Sequence, residues 1–245
     1  MSEERKSVSI SGSGKLGGGE YARVSISGSG RIDGDLVAEE LRISGSGKVS
    51  GRTEAGQIAV SGSAGFGGAV VAEEMRVSGS TRVAGSVEAK ELTCSGSFRA
   101  EGDVSAEYLK SSGGMRVTGD VECDIFKASG GFEIDGLLSA DKVEIHLGGR
   151  CSVREIGGEK IHVLRPSSLG GAFLLGLAKI LGGGGPAELR ATQIEGDEIH
   201  LENTIADIVR GKKVGIGPGC KIGTVEYADS LDVDDDASVG KELKV

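Results

Sequence analysis

The chain has no tryptophan, and aromatic residues make up only 3% of its 245 positions. That scarcity excludes a core built on large rings, so small aliphatic side chains must fill the interior. With only three prolines, a proline-rich spacer and a collagen-like chain are both excluded. Basic residues are in deficit, 28 against 37 acidic, for a net charge of −9, so general nucleic-acid binding is not expected. No apolar run approaches the ~20 residues of a membrane-spanning helix. The opening MSEERKS has no apolar core of a signal peptide, which points to a cytoplasmic protein.

Catalytic signatures are missing too. The sequence contains no G-x-S-x-G, Walker loop or H-E-x-x-H. Four cysteines (Cys94, Cys123, Cys151, Cys220) form no C-x-x-C pair, and none of the three histidines stands at zinc-ligand spacing from two of them. The expectation is a protein that is not an enzyme and holds neither metal nor cofactor.

What the chain has is glycine, 44 of them, and the glycine keeps register. Take as position zero the apolar residue before each S-G: Ile10, Ile26, Ile43, Val60, Val77 and Cys94. Ser111, Ala128 and Ile145 continue the series. The first step is 16 residues and every later one is 17. Two positions on, glycine recurs from Gly12 and Gly28 to Gly113 and Gly130. A flexible tether has no reason to hold such register, so the repeat is structural.

Apolar residues recur at position six (Leu16, Ile32, Val49, Phe66, Val83), ten (Leu36, Val70, Val87, Val104, with Thr53 the exception), twelve (mostly Ala) and fifteen (Leu41, Ile58, Met75, Leu92). With position zero of the next coil and position eight they form three short inward pairs, six and eight, ten and twelve, fifteen and seventeen, with strand alternation. Glycine and serine stand between them, at corners that need positive φ or close backbone approach. The pattern predicts an all-β, three-sided parallel β-solenoid of about 17 residues per coil. Cys94, Cys123 and Cys151 fall on inward positions and are expected to be small core residues. His146, His162 and His200 are expected to point outward, with His146 and His162 candidates for stacking in adjacent coils.

The expected organisation is a polar tail over 1–7, solenoid over 8–166, an apolar Gly-rich insertion over 167–187, further coils or a cap over 188–228, and a solvated acidic tail over 229–245. The insertion reads as a loop or short helix near 169–185. It either packs on the coils or dips into a membrane surface through Phe173, Leu174, Leu177, Ile180 and Leu181. On the outward side, position five is a basic ladder that includes Arg31, Lys48, Arg82, Arg99 and Arg116. Arg42 and Arg76 add cations at position sixteen, and positions eleven to fourteen are acidic. These faces are either simply solvated or meet a neighbouring molecule's opposite charge or an anionic lipid surface.

The ends of a solenoid leave strand edges unpaired, which proteins usually cap or charge. Here the first coil, SVSISGSGKLGGGEY, follows a short charged stretch with no capping helix. The terminal rungs expected to mediate end-to-end stacking are Val8, Ile10 and Leu16 at one end and Ile216, Ile222 and Val225 at the other.

Segments such as ISGSGRIDGDLVA (Ile26–Ala38) and VSGSTRVAGSVEA (Val77–Ala89) give the chain a resemblance to the bactofilins. The likeness runs over roughly Ser7–Val163. It implies a right-handed triangular β-helix and nonpolar filaments formed end to end without nucleotide. It further implies association with the inner face of the cell membrane and a scaffold for cell-wall enzymes and shape factors. Some members carry an apolar N-terminal membrane-targeting stretch, which the polar MSEERKS does not match. Two other classes share the solenoid form. Hexapeptide acyltransferases need sixfold spacing and a catalytic His, which this repeat does not offer; a secreted adhesin-like or ice-binding solenoid would carry flat Thr or aromatic arrays.

Overall fold

A computed structural model describes residues 5–165 and 187–245. Every regular element among them is a β-strand, and the strands pair in parallel from coil to coil. The fold is the all-β parallel β-solenoid that the repeat predicts, with about 17 residues per turn. Residues 1–121 and 122–245 form two compact units.

Unit 1 contains β1 (Ser7–Ile10), β2 (Ser13–Ile26), β3 (Ser29–Ile43), β4 (Ser46–Val49), β5 (Thr53–Val60) and β6 (Ser63–Phe66). Next come β7 (Val70–Val77), β8 (Ser80–Val83), β9 (Val87–Cys94), β10 (Ser97–Ala100), β11 (Val104–Ser111) and β12 (Gly114–Val117). Each residue pairs with the one a coil away, so like lies on like. Position zero runs Ile10, Ile26, Ile43, Val60, Val77, Cys94, Ser111 through consecutive ladders. The pairing of β5 with β7 breaks only at Gly56, so each coil has three short paired runs, such as Ser46–Val49, 53–55 and 57–60. The short 16-residue first step has a local cause. One residue of β2 stands between Gly17 and Gly19 where β3 has two between Asp33 and Leu36.

The core is aliphatic, as the lack of rings requires: Ile26, Leu41, Met75, Val83 and Leu109 are fully enclosed. Burial of this kind contributes roughly 1.5–3 kcal/mol per large side chain. A few enclosed residues are polar. Thr53 and Thr81 in unit 1 are buried with hydroxyls that have no hydrogen-bond partner.

The corners explain the glycine. The N–H groups of Ser27 and Gly28 donate to the carbonyl of Ile10, and that of Ser29 to the carbonyl of Gly12, so the coil is hydrogen-bonded straight through its bend. That contact leaves no room for a side chain, because a Cβ on Gly28 would stand 2.1 Å from the Gly12 oxygen. The same overlap, 1.9–2.0 Å, recurs at Gly45, Gly62, Gly79, Gly96 and Gly113. Close approach, and not positive φ, is what demands glycine at this corner. The positive-φ glycines among the described residues lie elsewhere, at Gly19, Gly34 and Gly219.

The boundary of the units falls at the start of β13 (Val121–Ala128), and unit 2 continues with β14 (Gly131–His146) and β15 (Cys151–Leu164). β16 (Leu189–Leu201), β17 (Thr204–Ile216), β18 (Lys221–Val233) and β19 (Ser238–Lys244) complete it. β15 pairs directly with β16, Ile161 on Ile199 and Val163 on Leu201, so the 166–186 insertion separates two adjacent coils. The helix expected near 169–185 lies outside the described residues. The fading of the 17-residue register is a change of coil length: Ile145 pairs with Val163, 18 residues on, and Leu201 with Ile216, 15 on.

The solvated acidic tail expected over 229–245 is instead structured. Leu231 and Val233 belong to β18, and β19 lies on β18 with Ile222 opposite Val239. Apolar residues alternate with the acids here, and the Asp run makes the bend. The Asp236 N–H donates to Asp234 Oδ1 at 2.9 Å, and the Ala237 N–H to the Asp234 carbonyl.

Candidate assembly surfaces

The first coil presents an open edge. Among the described residues β1 pairs with β2 alone, Val8 on Val24 and Ile10 on Ile26. Val8, Ile10 and Leu16 are half-buried there, whereas their partners Val24, Ile26 and Ile32 are fully enclosed. The fold thus sets these three rungs at the N-terminal edge.

At the other end the expected rungs are displaced. Ile216, Ile222 and Val225 are at most 3% exposed, because Val233, Val239 and Glu242 lie over them. In the last coil Leu231, Val233, Val239 and Leu243 are among the half-buried side chains. Reading the acidic segment as a tail hid this coil; the alternation LDV and SVGKEL was the available signal.

The basic ladder is in register: Lys15, Arg31, Lys48, Gly65, Arg82, Arg99 and Arg116 follow one another across adjacent coils. Arg31 pairs with Asp33 at 2.6 Å, and Arg82 pairs with Glu101. Lys15, Lys48 and Arg99 make no ion pair among the described residues. Beside the first three cations runs a stack of serines, Ser13, Ser29 and Ser46, and together they line a shallow groove of about 510 Å³.

Position sixteen behaves differently. Its cations stand two residues from the acids at position fourteen, on the same side of the strand, and pair with them. Glu40 meets Arg42 and, at 2.6 Å, Arg23 from the previous coil; Glu74 meets Arg76. The Arg42 hydrogen bond is the main cause that lowers the Glu40 pKa. In unit 2, Glu144 takes His146 at 3.2 Å and Lys127 at 3.1 Å, and its carboxyl is lowered to about 2. Opposite ladders within one strand therefore neutralise each other, and each exposed pair adds at most about 1 kcal/mol.

Cysteines occupy the core. Burial pushes the thiols of Cys94, Cys151 and Cys220 up to about 11 and that of Cys123 to about 12. Such thiols are inert packing groups. The stacking anticipated for His146 and His162 is replaced by a different one. His162 lies between Glu144 and His200 in its column, and its ring meets that of His200 edge-on at 6.4 Å. Among the described residues no three metal-ligating side chains cluster, and no helix is long and apolar enough to cross a membrane. Phe173, Leu174, Leu177, Ile180 and Leu181 lie outside the described residues.

Two curated proteins of Bacillus subtilis (strain 168) share part of this sequence. The uncharacterized protein YhbF is 38% identical over 110 residues, which is 44% of this chain and 42% of YhbF. The uncharacterized protein YhbE is 41% identical over 110 residues, 44% of this chain and 43% of its own length. The chain thus spans less than half the length of the relatives it matches. No family model and no solved structure matches it.

Proposed function

We propose that the chain is a structural protein that assembles end to end through the edges of its coils, without nucleotide, into bactofilin-like filaments. In this reading it serves as a cytoplasmic, membrane-proximal scaffold for cell-shape factors or cell-wall enzymes. The observation that carries it is the first coil: a strand that pairs on one side with β2 and, among the described residues, has no partner on the other, its rungs Val8, Ile10 and Leu16 half-buried where the equivalent residues of the next coil are enclosed. A strand edge of this kind is a template for another chain, and natural proteins that do not polymerise blunt it. The unpaired cations Lys15 and Lys48 beside the serine stack supply a face for an anionic membrane surface. Negative-stain microscopy of the purified chain, with and without added nucleotide, tests the reading. Filaments in both samples support it, and single unassembled particles in both overturn it.

A further inference from the structure

The first three repeats carry a motif that the fourth loses. They read SGSGK (Ser11–Lys15), SGSGR (Ser27–Arg31) and SGSGK (Ser44–Lys48), whereas the next reads SGSAG (Ser61–Gly65). Glycine at position four and the cation at position five are replaced in the same step, by Ala64 and Gly65. The cation returns as Arg82 and Arg99, but the buried residue before it is then Thr81 or Phe98. In unit 1 a glycine and a cation thus stand side by side on the first three coils alone.

The groove of about 510 Å³ lies on these three coils. Ser13, Ser29 and Ser46 stack in register along one wall, Lys15, Arg31 and Lys48 along the other, and the backbone of Gly14 and Gly30 runs between them. A Cβ on Gly30 would stand 2.9 Å from the Ile26 side chain, so the floor stays bare backbone. The six wall residues are exposed. Among the described residues no acid lines the groove. Asp33 holds Arg31 at 2.6 Å, and Lys15 and Lys48 keep their charge unpaired. A chain of net charge −9 presents three cations in one line here.

We infer that this groove binds a linear chain of linked phosphates, laid along the three coils. Its cations repeat every ~4.8 Å, the spacing of neighbouring strands, and a groove one cation wide suits a thread that carries charge along its whole length. Each coil sets a hydroxyl donor beside a cation, which matches a phosphate, whose unbridged oxygens accept from both. Binding of this kind is salt-dependent. On the scale of single-stranded nucleic acids each neutralised phosphate adds about −0.7 to the slope of log K against log salt, or about −2 for three. The inference does not depend on end-to-end assembly. It shares Lys15 and Lys48 with the membrane contact proposed above, so a phosphate thread and anionic headgroups compete for the same cations.

The test titrates the full chain into end-labelled, long-chain inorganic polyphosphate and follows fluorescence anisotropy over a range of salt concentrations. Wild type is compared with the Lys15→Gln, Lys48→Gln double variant and with Arg99→Gln, an exposed cation of the same ladder outside the groove. All three should give the same circular dichroism. The double variant is expected to bind at least tenfold more weakly, with a salt slope shallower by about 1.4, and Arg99→Gln to bind as wild type does. No binding by wild type, an equal loss in Arg99→Gln, or equal displacement of the label by polyglutamate would each overturn the inference. Vesicles of phosphatidylglycerol and phosphatidylcholine form the second arm. Wild type that binds the vesicles and not polyphosphate overturns the phosphate thread and leaves the membrane contact standing. Binding to polyphosphate and not to vesicles does the reverse.

Discussion

Gly79 lies directly over Gly62, so close that a Cβ on Gly79 would stand 1.9 Å from the Gly62 carbonyl oxygen. That oxygen accepts the Ser80 N–H at 2.8 Å and cannot withdraw without breaking the ladder. The corner glycine is therefore a packing requirement between coils, and the serines beside it are not.

Gly79→Ala is expected to destabilise unit 1 by about 3 kcal/mol or more, since the clash is with backbone on both sides. Ser61→Ala, at an exposed corner position, should change stability by less than about 0.5 kcal/mol. Urea denaturation of the two variants checks the contrast; equal effects would show that the close approach does not decide the residue.

Thr53 is fully enclosed in the column of Leu36 and Val70, and its hydroxyl has no partner. Thr53→Val restores the apolar column and should stabilise by about 1–2 kcal/mol, the scale of an unsatisfied buried polar group. An upward shift of the denaturation midpoint is the expected reading.

The Glu144 carboxyl, lowered from 4.5 to about 2 by His146 and Lys127, gives a signed pH dependence. A depressed folded-state pKa contributes stability that is present above about 4.5 and is lost as pH falls towards 2. Glu144→Gln should therefore be less stable than wild type at pH 6, with the difference shrinking through that window and gone near pH 2. Denaturant midpoints measured from pH 2 to 6 check it.

Thiols held at about 11 to 12 should be silent in the native state. Raising a thiol's pKa by two units at pH 8 lowers its thiolate fraction roughly 100-fold, and burial adds steric protection. Ellman's reagent is expected to leave native protein unmodified over minutes and to titrate all four cysteines in guanidinium.

The fold was legible because the repeat is written on both faces of the strand: Ile26, Ile43 and Val60 inward, Gly28, Gly45 and Gly62 at the corner. A solenoid's contacts are between like positions, so periodicity in sequence is nearly periodicity in space. Legibility failed where composition outweighed alternation. In SLDVDDDASVGKELKV the acids suggested a solvated tail, yet Leu231, Val233, Val239 and Leu243 keep the inward pattern or half-bury their side chains. That misreading moved the expected C-terminal rungs one coil inward, to Ile216, Ile222 and Val225. The pairing of Glu40 with Arg42 was readable as two same-face positions on one strand, but the link from Glu40 back to Arg23 needs the coil closed in three dimensions.

The central claim is that the first-coil rungs drive assembly. Negative-stain microscopy of wild type beside the Ile10→Glu, Leu16→Glu double variant, at equal concentration and without nucleotide, tests it most directly. The expected result is long filaments in the wild type and single soluble particles with unchanged circular dichroism in the variant. Filaments of equal length in both would contradict it.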